Sequence, residues 1–332
     1  MKELIKKLVE ITGPSGYETA VREAVRAEIA GLVDEMRVDA LGNLIARKGS
    51  KTEQGMRVML SAHMDEIGII ATHIDENGFV RFTSIGGVRV ANCVGGRVQF
   101  LNGTRGLIYV EKLDNPSSQP AMDQLYVDVG ATSRATCPVK VGDVAAFERP
   151  FVDLNGRLVS KAMDDRISVA VMIEALRALK STPHEVFFVF STQEEVGLRG
   201  ATTAGYGVDP ELALSVDVTF AGDTPKGVKM EVGLGKGPAI KVRDGGMLAD
   251  SRVIRWMADT AEKAGIPYQL EVLEGGTTDA KAIQLTRSGV LAGCLSIPTR
   301  YIHSPSEMVD LGDVQQAVKL LVELISKPIH LQ

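Results

Sequence analysis

Apolar residues near the start of the chain recur at helical spacing, with Leu4, Ile5, Leu8, Val9 and Ile11 on one face. Gly13-Pro14 stops that helix. Ser15-Gly-Tyr-Glu18 then reads as a capping box opening a second helix to about Leu32. Two short strands follow, ending at Arg47, and MRVMLSAH (56–63) reads as a buried strand. From residue 67 to about 150 the texture changes. Short β-like runs (GIIATHID, FVRFTSI, GRVQFL and GLIYVEKL) alternate with turn signals such as Glu76-Asn77-Gly78 and Asn102-Gly103. No long amphipathic pattern occurs there, so the segment reads as a small β-barrel-like insert.

Beyond it, helix and strand patterns alternate. Residues 164–180, 248–264, 277–288 and 312–327 read as helices, and 185–192, 211–217 and 290–296 as strands. Such alternation predicts an α/β fold with a mixed, mostly parallel sheet flanked by helices. The expected division is an α/β domain of residues 1–66 and 151–332, interrupted by a β-rich insert at 67–150.

Composition narrows the function. The 332 residues carry 37 basic and 42 acidic side chains, a formal charge of −5. That balance offers no basic footprint for nucleic acid or an anionic membrane surface. Cys93, Cys137 and Cys294 are too widely spaced for a disulfide framework or a Cys-x-x-Cys metal site. The first residues are studded with charge, unlike a signal peptide, and no run of roughly 18 apolar residues occurs anywhere. A cytoplasmic protein is expected.

Four polar clusters sit where the periodic segments end. His63-Met-Asp65 follows the strand 56–63, and residues two apart on a strand share a face. An imidazole oriented by a nearby carboxylate is a metal-site arrangement, and a solvated pair at a strand end explains the same residues equally well. Asp164-Asp165 opens a helix, where acidic side chains commonly complement the dipole. Glu194 and Glu195 leave a very apolar strand, a costly position unless they are paired or bind a cation. One of them could hold a metal while the other faces its water. Asp217 ends the strand ELALSV, and His303 follows in Tyr301-Ile-His-Ser-Pro305. In open α/β sheets, ligands bind beyond the carboxyl ends of strands, which argues for one shared site. Two imidazoles and three carboxylates suit zinc, cobalt or manganese, and let one carboxylate bridge two ions roughly 3.5–4 Å apart. Gly275-Gly-Thr-Thr-Asp279 lacks the lysine of a Walker loop, so it reads as a turn or a substrate-positioning loop.

Taken in order, SAHMDEIG, KAMDDR, STQEEVGLRGA, SVDVT, GGTTDA and IHSPSEMV resemble the dinuclear metallo-aminopeptidases of the tetrahedral type. These are the glutamyl and deblocking aminopeptidases, sometimes labelled endoglucanases. GPSGYE and DALGNLIA extend the likeness over nearly the whole chain. The resemblance implies a zinc-exopeptidase type of fold and two divalent ions per subunit, zinc or cobalt foremost, with manganese as a third option. It implies that His63 and Asp217 hold one ion, Glu195 and His303 the other, and that Asp164 bridges them. Glu194 would be the general base and Asp65 would orient His63. It further implies short peptides with a free N-terminus as substrates, and a homo-oligomer, a tetrahedral dodecamer, assembled through the insert.

Three rival readings remain at this point. A dinuclear deacylase of N-acyl amino acids would use the same residues. A glycosidase needs only two carboxyls about 5–9.5 Å apart, which leaves both histidines unexplained. A non-enzymatic assembly protein would have no use for Glu194 beside Glu195.

Overall fold

Helix α1 (Lys2–Glu10) buries the face formed by Leu4, Ile5, Leu8 and Val9, and α2 (Thr19–Ile29) buries Val21, Val25 and Ile29. The computed structural model describes residues 1–115 and 117–331. The capping box expected at Ser15–Glu18 does not form, and no side chain caps α2. Ser15 Oγ instead donates to Asp65 Oδ2 at 2.6 Å, and Glu18 Oε1 accepts from the Gly16 and Gln193 amides. A carboxylate buried away from water needs donors more than an exposed helix end does.

Strands β1 (Glu35–Val38), β2 (Leu44–Lys48) and β3 (Arg57–His63) come next. Then β4 (Gly68–Ile74), β5 (Val80–Ile85), β6 (Arg97–Phe100), β7 (Arg105–Val110), β8 (Leu125–Asp128) and β9 (Val144–Phe147) close into an antiparallel barrel. The barrel has its own core, including Ile69, Val80, Phe82, Phe100 and Ile108.

The chain then returns through β10 (Val152–Leu154), β11 (Arg157–Ser160), α3 (Met163–Ala178), β12 (Glu185–Ser191), α4 (Arg199–Val208) and β13 (Leu212–Phe220). It finishes with β14 (Ala239–Arg243), α5 (Ser251–Ala264), β15 (Gln269–Val272), α6 (Asp279–Gln284), β16 (Leu291–Arg300), β17 (Glu307–Asp310) and α7 (Leu311–Ile325). Eleven of these strands form one mixed sheet. Its centre, β12-β3-β13-β16, is parallel. Both flanks are antiparallel, β2-β1 on one side and β17-β11-β10 on the other. The central strands read as continuous apolar runs because helices cover both faces. The flanking strands are short and half exposed, which hides most of them from a pattern reading.

Helix α4 was also illegible, since Gly200, Gly205 and Gly207 depress helix propensity. Packing explains one of them. A Cβ on Gly200 would stand 2.3–2.6 Å from Asn43 Oδ1 and the Thr192 backbone.

One buried ionic cluster ties the N-terminal helices to the sheet. Arg166 donates to the carbonyls of Met64 (2.5 Å), Leu8 (2.8 Å), Ile11 (3.2 Å) and Gly13 (3.2 Å). Beside it, Lys161 Nζ donates to both oxygens of Glu66 at 2.7 and 2.8 Å. Arg166→Met removes the donor to four main-chain carbonyls and should cost about 3 kcal/mol or more of stability. A denaturant midpoint equal to the wild type would show that this cluster does not anchor α1.

Candidate active site

Register brings the proposed residues to one edge. Parallel pairing sets Ser191 opposite His63, so β12 and β3 end at one level, and Ser215 opposite Ser61, so β13 reaches that level near Asp217 before running on to Phe220. Glu194 and Glu195 follow β12, and Asp217 lies near the end of β13. β16 runs beside β13 to Arg300, which delivers the loop carrying His303. The first turn of α3 supplies Asp164 and Asp165. These are the carboxyl ends where ligands bind in such sheets.

The seven singled-out residues lie together. His63 Nε2 stands 3.0 Å from Asp164 Oδ1, and His303 Nε2 stands 3.4 Å from Asp164 Oδ2. Asp164 thus lies between the two imidazoles. Glu195 Oε2 is 3.2 Å from His303 Nε2. Asp217 Oδ1 is 4.0 Å and Glu194 Oε2 3.9 Å from His63 Nε2. Asp65 acts differently from a simple orienting carboxylate. Its main-chain oxygen lies 3.1 Å from His63 Nδ1, nearer than its Oδ1 at 3.4 Å. Its carboxylate accepts from the amides of Glu194 (3.0 Å) and Glu195 (3.2 Å), setting the backbone that carries both glutamates. With Nδ1 so engaged, Nε2 is the nitrogen that faces the cluster.

The electrostatics are lopsided. Burial, together with Asp217 and Glu195, pushes Glu194 well above the usual carboxylate range against the pull of His63. Burial does the same to Asp217, reinforced by Asp164 and opposed by His63. Asp164 moves the other way, because hydrogen bonds from His303 and His63 outweigh its burial. Burial disfavours charge on His303, yet Asp164 and Glu195 push its pKa up to about 11. The arrangement demands positive charge. Donor atoms of His63, Asp164 and Glu195 lie within 4.8 Å of one another, as do those of His63, Asp165 and Asp217. Nitrogen and oxygen donors in this number fit divalent cations, which would displace the protons from the imidazoles. The cluster lines a cavity of about 360 Å³, which Gly276, Thr277 and Thr278 of the Gly275–Asp279 loop also line.

Residues 42–320 match the M42 glutamyl aminopeptidase family. The chain belongs to that family. A lysyl aminopeptidase of Pyrococcus furiosus is 37% identical, over 98% of this chain and 96% of that protein. A solved aminopeptidase from the archaeon Desulfurococcus kamchatkensis is 41% identical with a TM-score of 0.93, over 98% of this chain and 94% of that one. The TET1 peptidase of Pyrococcus horikoshii, which can assemble into a tetrahedron or a large octahedral shell, is 34% identical with a TM-score of 0.90, over 98% and 99%.

Several residues support the site of this M42 aminopeptidase in ways that no sequence reading assigns. Asp165 is buried behind His63 and accepts its main-chain amide at 3.2 Å. Buried Glu307, at the start of β17, accepts the Asp164 amide at 2.9 Å and the His303 amide at 2.8 Å. Asp279 accepts from Ser61 and Ser191, both at 2.5 Å. The insert contributes as well. Asn92 donates to the His303 carbonyl at 3.1 Å, and a Cβ on Gly87 would stand 2.3 Å from His303 Nδ1. Nothing in their local sequence marks Gly87 or Asn92, since only folding brings them across from the barrel. His184 is structural: Nδ1 accepts the Met56 amide and Nε2 meets the Lys327 carbonyl.

Gly87→Ala should therefore displace the His303 ring. Misplacement of a site group by about 1 Å costs about 10²-fold in turnover. We expect that loss in peptidase assays with the melting temperature unchanged. Wild-type turnover would remove Gly87 from this role.

Proposed function

We propose that the chain is a two-metal aminopeptidase acting on short peptides with a free N-terminus. The observation that carries this reading is Asp164, whose two oxygens each face the Nε2 of a different histidine. His63 and Asp217 would hold one ion, His303 and Glu195 the other, with Asp164 between them. Asp165 is left out of the set because it is engaged with the His63 main chain. Zinc and cobalt suit these donors best, and manganese is a third option.

Divalent ions in such a site polarise the scissile carbonyl and make water a competent nucleophile near neutral pH. Glu194 contributes the proton traffic. It accepts a proton from the attacking water and delivers it to the departing amine as the C–N bond breaks. Its backbone is fixed by Asp65, and its carboxyl is pushed up by burial and neighbouring acids, which suits a group that must both take and give a proton. A glycosidase reading leaves His63 and His303 without a role.

The barrel would serve assembly into a homo-oligomer of the tetrahedral kind. Leu101, Leu107, Tyr109 and Val141 are exposed on it. Leu107 and Tyr109, two apart on β7, share one exposed face of that strand, which suits a contact surface. Three free cysteines accord with a cytoplasmic enzyme, as does the lack of a helix long and apolar enough to cross a membrane among the described residues.

A metal-loaded preparation should release N-terminal residues from short peptides and lose this activity to a chelator. The same peptides N-acetylated should be cleaved far more slowly; faster cleavage of them would favour the deacylase. Glu194→Gln should retain both ions and lose about 10²-fold or more in kcat, whereas Glu195→Gln should lower metal occupancy. The reverse pattern in metal analysis would exchange their roles.

Leu107→Asp with Tyr109→Asp tests the barrel without touching the site. Light scattering should show a smaller species. An unchanged large oligomer would exclude this face from assembly.

A further inference from the structure

The printed names of the family and of the Pyrococcus furiosus relative, glutamyl and lysyl, refer to side chains of opposite charge. The wall of the active-site cavity carries a charged pair that bears on this choice. Lys241 on β14 lines the cavity and is 1% exposed. Register sets Lys241 directly beside Glu271 of β15, and its ammonium donates to Glu271 Oε1 at 2.5 Å. Thr219 Oγ1 donates to the same oxygen at 2.7 Å. Asp244 lies 4.0 Å from the ammonium, with its other oxygen accepting from the Gly246 and Met247 amides. Glu271 Oε2 and Asp244 Oδ2 are buried with no hydrogen-bond partner among the described residues.

An exopeptidase that holds the substrate amine and carbonyl at the carboxylate cluster must seat the first side chain in the adjoining cavity. Apart from the cluster, that cavity is lined by Lys241, by polar Thr219, Thr277 and Thr278, and by apolar residues such as Phe220 and Leu273. Lys281 also lines it, half-buried where the cavity meets a neighbouring cleft.

We propose that Lys241 and Glu271 form a charge-compensated wall of the N-terminal side-chain pocket, so that the enzyme selects uncharged N-terminal residues. This rests on the aminopeptidase reading given above. An acidic side chain would have to draw Lys241 from Glu271 and strand a buried carboxylate. A basic one would have to approach the Lys241 ammonium. Both charged classes are rejected by the cost of a buried unpaired charge.

The test compares leucyl, glutamyl and lysyl aminocoumarins on the metal-loaded enzyme. Wild type should favour the leucyl substrate over both others by about tenfold or more in kcat/KM. Glu271→Gln unmasks Lys241 and should raise the glutamyl-to-leucyl ratio about tenfold, while Lys241→Met leaves Glu271 alone and should raise the lysyl-to-leucyl ratio similarly. The double variant should return to leucyl preference. Ratios unmoved in both single variants overturn the pocket assignment while leaving the aminopeptidase reading intact. Release from none of the three substrates overturns both. If the single variants do not fold, the wild-type ranking decides, and a wild type that prefers a charged substrate overturns the proposal.

Discussion

Asp164 sits between two imidazoles, and the carboxylates crowded around it set the conditions for the rest of the molecule. Like charges buried a few ångströms apart in a medium poorer than water repel strongly. Protons relieve this partly, which is why His303 is driven far up and Glu194 and Asp217 resist ionisation. A carboxyl whose folded pKa is raised withdraws stability as pH rises through that value. Cations bound to the folded state would return stability in proportion to their affinity. The fold carries this local cost because the reaction needs the charge.

Most of the architecture near the site can be understood as holding that charge in place. Four parallel strands run to the same edge of the sheet, so the short segments at or near their ends converge without long loops. Asp65 does more than orient an imidazole, since its carboxylate organises the backbone of both adjacent glutamates. Glu307 ties the main chain of Asp164 to that of His303. Such supporting bonds let the clustered carboxylates and imidazoles stay close despite the repulsion among the carboxylates.

The barrel is more than an appendage. It has its own apolar core, yet Gly87 and Asn92 press against His303 from it. A module that abuts the site ties its own position to the geometry of His303.

Strong periodicity was legible without a structure. The central strands and the long helices α3, α5 and α7 announce themselves because burial on both faces or on one stripe demands continuous or 3.6-residue apolar patterns. Polar residues following the apolar strands stood out too, since carboxylates and imidazoles there need a reason, whereas Asp164, at a helix start, joined them only through the family resemblance. Tertiary structure decided the rest. Whether Ser15 and Glu18 cap a helix or feed buried acceptors depended on what lay opposite them in space. Helix α4 depended on close packing of Gly200 against Thr192. Glu307, Gly87 and the pairing of Lys241 with Glu271 depended on contacts between segments distant in the chain. Local patterns report what a residue's own element requires. What a buried charge or an absent side chain is for depends on which distant atoms arrive beside it.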